Sequence, residues 1–452
     1  MTSCICALAM LGGAIMASPS AAQNLVANPG FDNLDGWEVW AQRDEIRPEV
    51  SIAETGGREG AAAVITCEAH RDSGQIQQTF GPVTSGATYG VAVWLRPENV
   101  PAVSESTWVK LQWMDADDHA LEKQFVPLAG RNGDWVRAAA RLEAPEGAAT
   151  AKLEIGMSWA AGGKLFIDEA VVTEIAPVKH RTVRLGTVCY IPSETDGPDD
   201  NRRQYAEQAD IAGQRGSDIV CLPEGITVVS TGKTYVEVAE PVPGPSTEVL
   251  GEVARKHEMY IVAGVYEREG QTVYNTAVLL DRGGELIGRY RKTHLPEAEI
   301  VGGITPGDTY PVFDTDFARI GIQICYDNFF PEVARALAIS GAEIVFLPIW
   351  GDGRGDPETH AAVYRARAID NAVFLLVSNY SQKRSMIIDR WGNIIGDTKG
   401  EFGVEVVEVD LDARRLEPWL SVGSHGEWQK LYQNERRPST YGPINRDAAP
   451  GG

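Results

Sequence analysis

Apolar positions alternate with polar ones in the first part of the chain and run together in the rest. Between residues 24 and 176, short period-two stretches recur, as where Tyr89, Val91, Val93 and Leu95 share one face, and Gly, Pro, Asn and Asp turns interrupt them. Such alternation puts one side of each strand in a core and the other in solvent, and predicts an all-β sandwich. From residue 183 the texture changes. VRLGTVCYI, DIVCLPE, MYIVAGVYE, ARIGIQICYD, AEIVFLPIW and NAVFLLVSN are unbroken apolar runs that suit strands covered on both faces. Helical spacing appears between them. Val333, Ala334, Leu337 and Ala338 follow Pro331 and stop at Gly341, while Ala361, Tyr364, Ala368 and Ile369 mark another helix. Strands alternating with helices predict an α/β layered domain with helices outside the sheets. EIAPVKHRTV, residues 174–183, reads as a linker, so domains are expected over 24–176 and 182–415. Residues 416–452 carry no periodicity and read as a surface tail or subunit-contacting arm.

Composition narrows the class. With 452 residues, 43% of them hydrophobic and 23% charged, the chain exceeds one ordinary core and reads as a soluble multidomain protein. A formal net charge of −22 makes long contact with nucleic acid or anionic lipid unfavourable. Residues 5–22, ICALAMLGGAIMASPSAA, have the apolar core and small-residue end of a signal peptide over 1–22, with Ser20 and Ala22 suiting the −3 and −1 sites, although no Lys or Arg precedes the apolar run. Cleavage after Ala22 and a periplasmic or secreted location are expected. No later stretch approaches the roughly 18 uncharged apolar residues of a membrane span. Once the leader is removed, Cys67, Cys189, Cys221 and Cys325 remain, too irregularly spaced for a disulfide framework or a zinc site. Cys189 and Cys221 sit in apolar runs and read as small buried hydrophobes.

Three segments put a reactive side chain just after an apolar run, where a rigid sheet can present it to a cleft. They are DIVCLPEG with Glu224, GRYRKTHLPEAE with Lys292 and RIGIQICYDNFFPEVAR with Cys325. A cysteine attacking an amide carbonyl needs thiolate character, a proton acceptor, positive charge near the developing oxyanion and backbone donors. One thiol, one carboxylate and one ammonium supply the first three, and the N–H of Tyr326 is placed in sequence to serve as a donor. Singly, Glu224 reads as well as a helix-terminal charge, Lys292 as a surface residue and Cys325 as a buried hydrophobe. The ordered set of three is what points to chemistry. Close packing of acid, base and cation is expected to lower the thiol pKa.

These segments resemble the three signatures of the nitrilase superfamily, the carbon–nitrogen hydrolases, whose glutamate, lysine and cysteine come in this order at strand ends. The likeness spans about residues 182–415. It implies a four-layer αββα sandwich in this half, Glu224 as base, Lys292 as oxyanion partner, and Cys325 as the nucleophile that forms a thioester, with no catalytic cofactor and no metal in the domain. Many members carry a second glutamate between the lysine and the cysteine. HLPEAEIVGGITPGD offers Glu297 and Glu299, and the following glycines with Pro306 and Gly307 favour Glu299. By the same resemblance Tyr326, Asn328, Phe329, Phe330, Trp350 and Asn379 line the substrate cleft, and a homodimer or higher homo-oligomer is implied. Tyr274 to Ala277 with GGELIGRYRK, and MIIDRWGNIIGD, are similar to two hairpins of the family. His294 reads as a structural histidine. Arg365 and Arg367, two apart on a helix, point to different sides, so at least one is structural. Cys-Tyr-Asp followed by Phe-Pro-Glu resembles the amidase and carbamoyl-hydrolase branches. The expected substrate is therefore a small amide or N-carbamoyl amine, with nitrile hydrolysis and acyl transfer as alternatives.

The opening NLVANPGFDNLDGWEVW, the central QIQQTF and SGATYGVAVWLR, and the closing KLFIDEAVVTEI resemble carbohydrate-binding, galactose-binding-like jelly-roll modules. The expected architecture is thus an N-terminal all-β jelly-roll sandwich followed by the α/β sandwich. Glycan binding is implied, and a calcium ion often braces a loop in such modules, for which Asp168 and Glu169 are candidates. Seven of the eleven tryptophans, Trp37, Trp40, Trp94, Trp108, Trp113, Trp135 and Trp159, fall in this half. Exposed ones would support sugar stacking and buried ones would serve the core. A glycan-binding protein whose second domain is a silent scaffold is the reading from another functional class.

Overall fold

The structure is a computed structural model that describes residues 23–177, 179–351, 356–381, 383–417, 426–427 and 436–446. The expected leader and most of the tail beyond 417 lie outside the described residues. The chain divides into two compact units, the first reaching to the linker and the second beginning at Lys179 and running to Arg415.

In the first unit, antiparallel strands build two sheets. One is five-stranded in the order Glu38–Trp40, Ser73–Phe80, Thr150–Ser158, Thr107–Met114, Ala120–Phe125. The other is six-stranded in the order Glu49–Ala53, Ala62–Cys67, Gly163–Ile175, Thr88–Glu98, Trp135–Glu143, Leu128–Asn132. The period-two pattern sets which face goes in. Tyr89, Val91, Val93 and Leu95 are buried and meet Ile76, Val109, Leu111, Leu153 and Ile155 of the opposite sheet in one core. That arrangement is the N-terminal sandwich expected from the alternation. Two of the seven tryptophans, Trp37 and Trp113, serve this core, whereas Trp40 and Trp159 are exposed. Asp168 and Glu169 are engaged within the fold. The Asp168 carboxylate accepts from the Arg58 and Glu169 N–H groups, each at 2.7 Å, and Glu169 pairs with the Arg58 side chain at 3.0 Å. Among the described residues no group of three or more His, Cys, Asp or Glu is placed to hold a metal ion. The described end of the chain belongs to this unit too: Ser439 donates to the Glu105 carboxylate at 3.0 Å, and the Arg437 guanidinium lies 5.4 Å from the Trp159 ring centre.

The second unit has the four layers implied by its sequence. One six-stranded sheet runs Leu286–Arg291, Thr272–Leu280, Tyr260–Glu269, Ile219–Cys221, Thr182–Cys189, Gly403–Asp410, and another runs Val312–Asp314, Arg319–Ile322, Ile344–Ile349, Phe374–Asn379, Met386–Ile388, Ile394–Asp397. The strands that read as unbroken apolar runs form the parallel centres of the two sheets. Their inner faces pack on each other through Leu185, Cys221, Val262, Leu279, Ile320, Phe346 and Leu376. On one outer face, Tyr205 and Ala209 of helix Pro198–Gln214 and Leu250 and Ala254 of helix Pro245–His257 cover Val220, Ile261 and Val278. On the other, Val333 and Leu337 of helix Pro331–Ile339 and Ala361, Tyr364 and Ala368 of helix Pro357–Asn371 cover Val345, Leu347 and Leu375. Each strand is apolar on both faces because a helix layer lies on one side and the other sheet on the other. Gly341, at φ 97°, follows the first of these last two helices where a side chain would be strained. Cys67, Cys189, Cys221 and Cys325 are all free thiols, and the first three are buried.

Candidate active site

Each of the three reactive segments leaves a sheet at a strand end and turns toward the others. Glu224 follows strand Ile219–Cys221 and is 1% exposed. Lys292 follows strand Leu286–Arg291 and is also 1% exposed, its backbone fixed by its N–H to the Asn275 carbonyl and by the Gly307 N–H to its own carbonyl, both 2.8 Å. The Lys292 ammonium donates to Glu224 Oε1 at 2.8 Å and to Glu299 Oε1 at 3.1 Å. Asn275 Nδ2 donates to the same two oxygens, at 2.7 and 2.6 Å. The other Glu224 oxygen accepts from the Trp350 N–H at 2.7 Å. Every donor in this cluster holds a carboxylate in a fixed direction, which leaves the thiol as the group free to change partners.

Cys325 opens a tight turn, Cys325–Phe329, three residues beyond the end of strand Arg319–Ile322. Its φ of 44° is left-handed, a conformation that costs a non-glycine residue on the order of 1–3 kcal/mol and persists only when surroundings impose it. The thiol interacts with the Glu224 side chain and the Gly351 backbone. The expectation of a lowered thiol pKa is overturned: burial pushes the thiol up, the Glu224 carboxylate adds to that, and Lys292 only partly opposes it. The resting nucleophile is therefore a thiol that must lose its proton during attack. Lys292 goes the other way. Burial disfavours its charge, yet Glu224, Cys325 and Glu299 together hold it above the ordinary lysine value. Glu299 is raised to about 7, first by burial and then by the neighbouring Glu224, against the pull of Lys292.

The second-carboxylate alternatives separate in space. Glu299 is buried against Lys292, whereas Glu297, two residues earlier on the same short helix, points to solvent. Of the cleft candidates, Trp350 reaches the carboxylate cluster through its N–H and packs near the Tyr235 and Tyr380 rings at 6.3 and 6.2 Å. Tyr326 and Phe329 are exposed next to the nucleophile's turn, with ring centres 5.8 Å apart. Asn328 is turned inward, where its side-chain oxygen accepts from Gln323 at 3.0 Å and its carbonyl from Arg367 at 3.0 Å. His294 has the structural surroundings expected of it, with Nδ1 2.9 Å from Asp327 Oδ1 and its ring stacked on Phe330. Arg365 and Arg367 part as their spacing requires, to the Gly392 carbonyl and to the carbonyls of Asn328 and Phe329.

Asn275 and Asp327 were missed from the sequence. Asn275 lay in a stretch read only as a hairpin, and the signal was a lone amide among the apolar residues of strand Thr272–Leu280. Asp327 stands inside the Cys-Tyr-Asp string, which in sequence marks a branch of the family and assigns the aspartate no role.

Residues 187–420 match the model of the carbon-nitrogen hydrolase family, and residues 23–162 match that of a carbohydrate binding domain. Omega-amidase NIT2-B of Xenopus laevis is 30% identical over 251 residues, covering 52% of this chain and 90% of the relative. Human omega-amidase NIT2 is 30% identical over 218 residues, covering 44% and 79%. Among solved structures, an amidase from Nesterenkonia sp. aligns at 23% identity with a TM-score of 0.46, covering 53% of this chain and 95% of that one.

Proposed function

Because the chain belongs to the carbon–nitrogen hydrolase family, and its second domain is an amidase-like member of it, we propose that this domain cleaves a non-peptide amide or N-carbamoyl bond through a thioester on Cys325, releasing ammonia or an amine. The observation that carries the reading is the buried cluster in which Lys292 sits between Glu224 and Glu299, with the Cys325 thiol near enough to feel the charges of both Glu224 and Lys292. As the sulfur attacks the carbonyl, Glu224 takes the thiol proton and Lys292 stabilises the negative oxygen of the tetrahedral intermediate. The C–N bond breaks as Glu224 returns that proton to the leaving nitrogen. Water then attacks the thioester, Glu224 receiving its proton, and the acid leaves with the thiol restored. A thiol held protonated at rest suits this order, since the base is needed at the moment of attack. The name omega-amidase carried by its relatives supports the choice of an amide over a nitrile for this domain. Ammonia release from a panel of amides, N-carbamoyl amines and nitriles, compared with Cys325→Ala, tests the reading; a parent that releases no more than this variant from any of them would leave a glycan-binding protein with a silent scaffold. An added amine acceptor distinguishes hydrolysis from acyl transfer by its product.

For the first domain we propose glycan binding on the outer face of the five-stranded sheet. Trp40, Gln75, Gly156 and Trp108 lie in one row across four strands. A Cβ on Gly156 would meet the Trp108 ring at 2.2 Å, so the indole lies flat over the sheet where a side chain is missing. Its Nε1 donates to Gln75 at 3.3 Å, and the Gln75, Gln77 and Glu38 side chains continue as a hydrogen-bonded chain. An exposed Trp40, a flat indole and aligned amides supply a stacking surface with polar partners for hydroxyls. We also propose export, supported by the leader-like N-terminus, and a homo-oligomeric state, supported by family resemblance. Mass analysis of the mature N-terminus and sedimentation test these two.

A further inference from the structure

Asp327 is completely buried, and its carboxylate is hydrogen-bonded to residues that flank the proposed ammonium and nucleophile in the chain. Its Oδ2 accepts from the Tyr290 hydroxyl at 2.7 Å and from the Ile324 N–H at 3.0 Å. Its Oδ1 accepts from the His294 N–H at 3.0 Å and the Thr293 hydroxyl at 3.1 Å, with His294 Nδ1 at 2.9 Å. Tyr290, Thr293 and His294 bracket Lys292 in sequence; Ile324 precedes Cys325. The strands that carry them belong to different sheets, so no ladder of backbone hydrogen bonds fixes the lysine loop against the nucleophile's turn. One carboxylate spans both.

We infer that Asp327 is a positioning residue that sets the Lys292 ammonium against the Cys325 thiol. This rests on the assignment of those two residues in the proposed mechanism. Cys325 keeps its left-handed backbone because the turn is held on both sides. Asp327 ties the Ile324 N–H inward, its own N–H returns to the Ile324 carbonyl at 3.0 Å, and Arg367 holds the Asn328 and Phe329 carbonyls from the helix behind. An aspartate suits this place where an asparagine does not. Each oxygen faces a backbone N–H that can only donate, that of Ile324 on Oδ2 and that of His294 on Oδ1, so an amide would turn its own N–H toward one of them. The consequence is registration: a displacement of about 1 Å between reacting groups costs on the order of 100-fold in rate while leaving the substrate's binding surface in place.

The test is a double-mutant cycle on the full chain, read by amide turnover and by the rate at which iodoacetamide alkylates Cys325, followed by intact mass and peptide mapping. Among the described residues Cys67, Cys189 and Cys221 are fully buried, and the peptide map separates alkylation of Cys325 from any at Cys4 or Cys6. Asp327→Asn is expected to lower kcat by roughly 100-fold with KM changed less than about threefold, and to slow alkylation at least tenfold. In a Lys292→Gln background the same change should cost less than about threefold more, because what it positions is already gone. Wild-type kcat and alkylation in Asp327→Asn, or losses that multiply in the double variant, would overturn the inference. If Asp327→Asn lacks a cooperative unfolding transition, Tyr290→Phe and Thr293→Val, which cut only the lysine-loop side, take its place in the cycle with the same outcomes. Lys292→Gln retaining full turnover would instead sink the mechanism itself, so the two failures are distinguishable.

Discussion

A Cβ on Gly264 would stand 2.6 Å from the Cα of Glu224, and 3.1 Å from both the Gly225 nitrogen and the Pro223 oxygen. The turn bearing the base therefore rests directly on the bare backbone of strand Tyr260–Glu269. Gly264 also donates its N–H to the Pro223 carbonyl at 3.1 Å and accepts from the Ile226 N–H at 2.9 Å. The surrounding atoms are backbone and have nowhere to go. Gly264→Ala is expected to cost about 1–3 kcal/mol of stability by overpacking, and to lower kcat at least tenfold by lifting Glu224 off Lys292. Denaturant unfolding and initial rates on one amide check both numbers.

Asn275 is the shared donor of the two carboxylates. Replacing it by leucine keeps the volume and removes the N–H groups, leaving Glu224 Oε1 and Glu299 Oε1 to Lys292 and the more distant Tyr266 hydroxyl. Leaving buried acceptors short of a donor costs about 1–3 kcal/mol. Asn275→Leu should lose that much in chemical unfolding and should raise the pH dependence of what activity remains.

Glu299 carries a pH signature with a definite sign. Its carboxyl titrates at about 7 in the folded protein against an ordinary 4.5. The folded state thus holds a proton that the unfolded state has released between those values, and stability falls as pH rises through that window. Glu299→Gln cannot ionise. Relative to the parent it should gain stability between pH 5 and pH 8, and the ionisation near pH 7 in the parent's kcat/KM profile should vanish. An unchanged stability difference across that range would remove Glu299 from the cluster's charge balance.

The two domains make separable predictions. Trp108→Ala removes the flat indole over Gly156 and should weaken retention on polysaccharide gels by about tenfold, in line with about 0.5–1.5 kcal/mol for an aromatic contact plus its lost area. Trp40→Ala should do so more mildly, and neither should change kcat for a small amide. Affinity electrophoresis alongside ammonia assays reads both.

The architecture was legible because each layer leaves its own period in the chain. Tyr89 to Leu95 alternate because solvent lies on one side of their strand, and AEIVFLPIW does not because a sheet and a helix lie on either side. Glu224, Lys292 and Cys325 were legible because they end such runs. The geometry between them was not. Asn275 and Asp327 act across 51 and 33 residues of chain through single hydrogen bonds, which no period records. The thiol's direction of shift was misjudged for a related reason. Sequence shows that a lysine and a glutamate exist, but only packing shows that burial and the carboxylate outweigh the ammonium at the sulfur. Asn328 stands in the nucleophile's motif in sequence, while the fold turns its side-chain oxygen toward Gln323.

The central claim is a covalent bond at one sulfur. Mixing the enzyme with a turned-over amide, quenching in acid within the first turnovers and measuring intact mass should reveal a species heavier by the acyl group, mapped to the peptide holding Cys325 and absent from Cys325→Ala. Steady turnover with no acylated Cys325 peptide at any quench time would contradict the account.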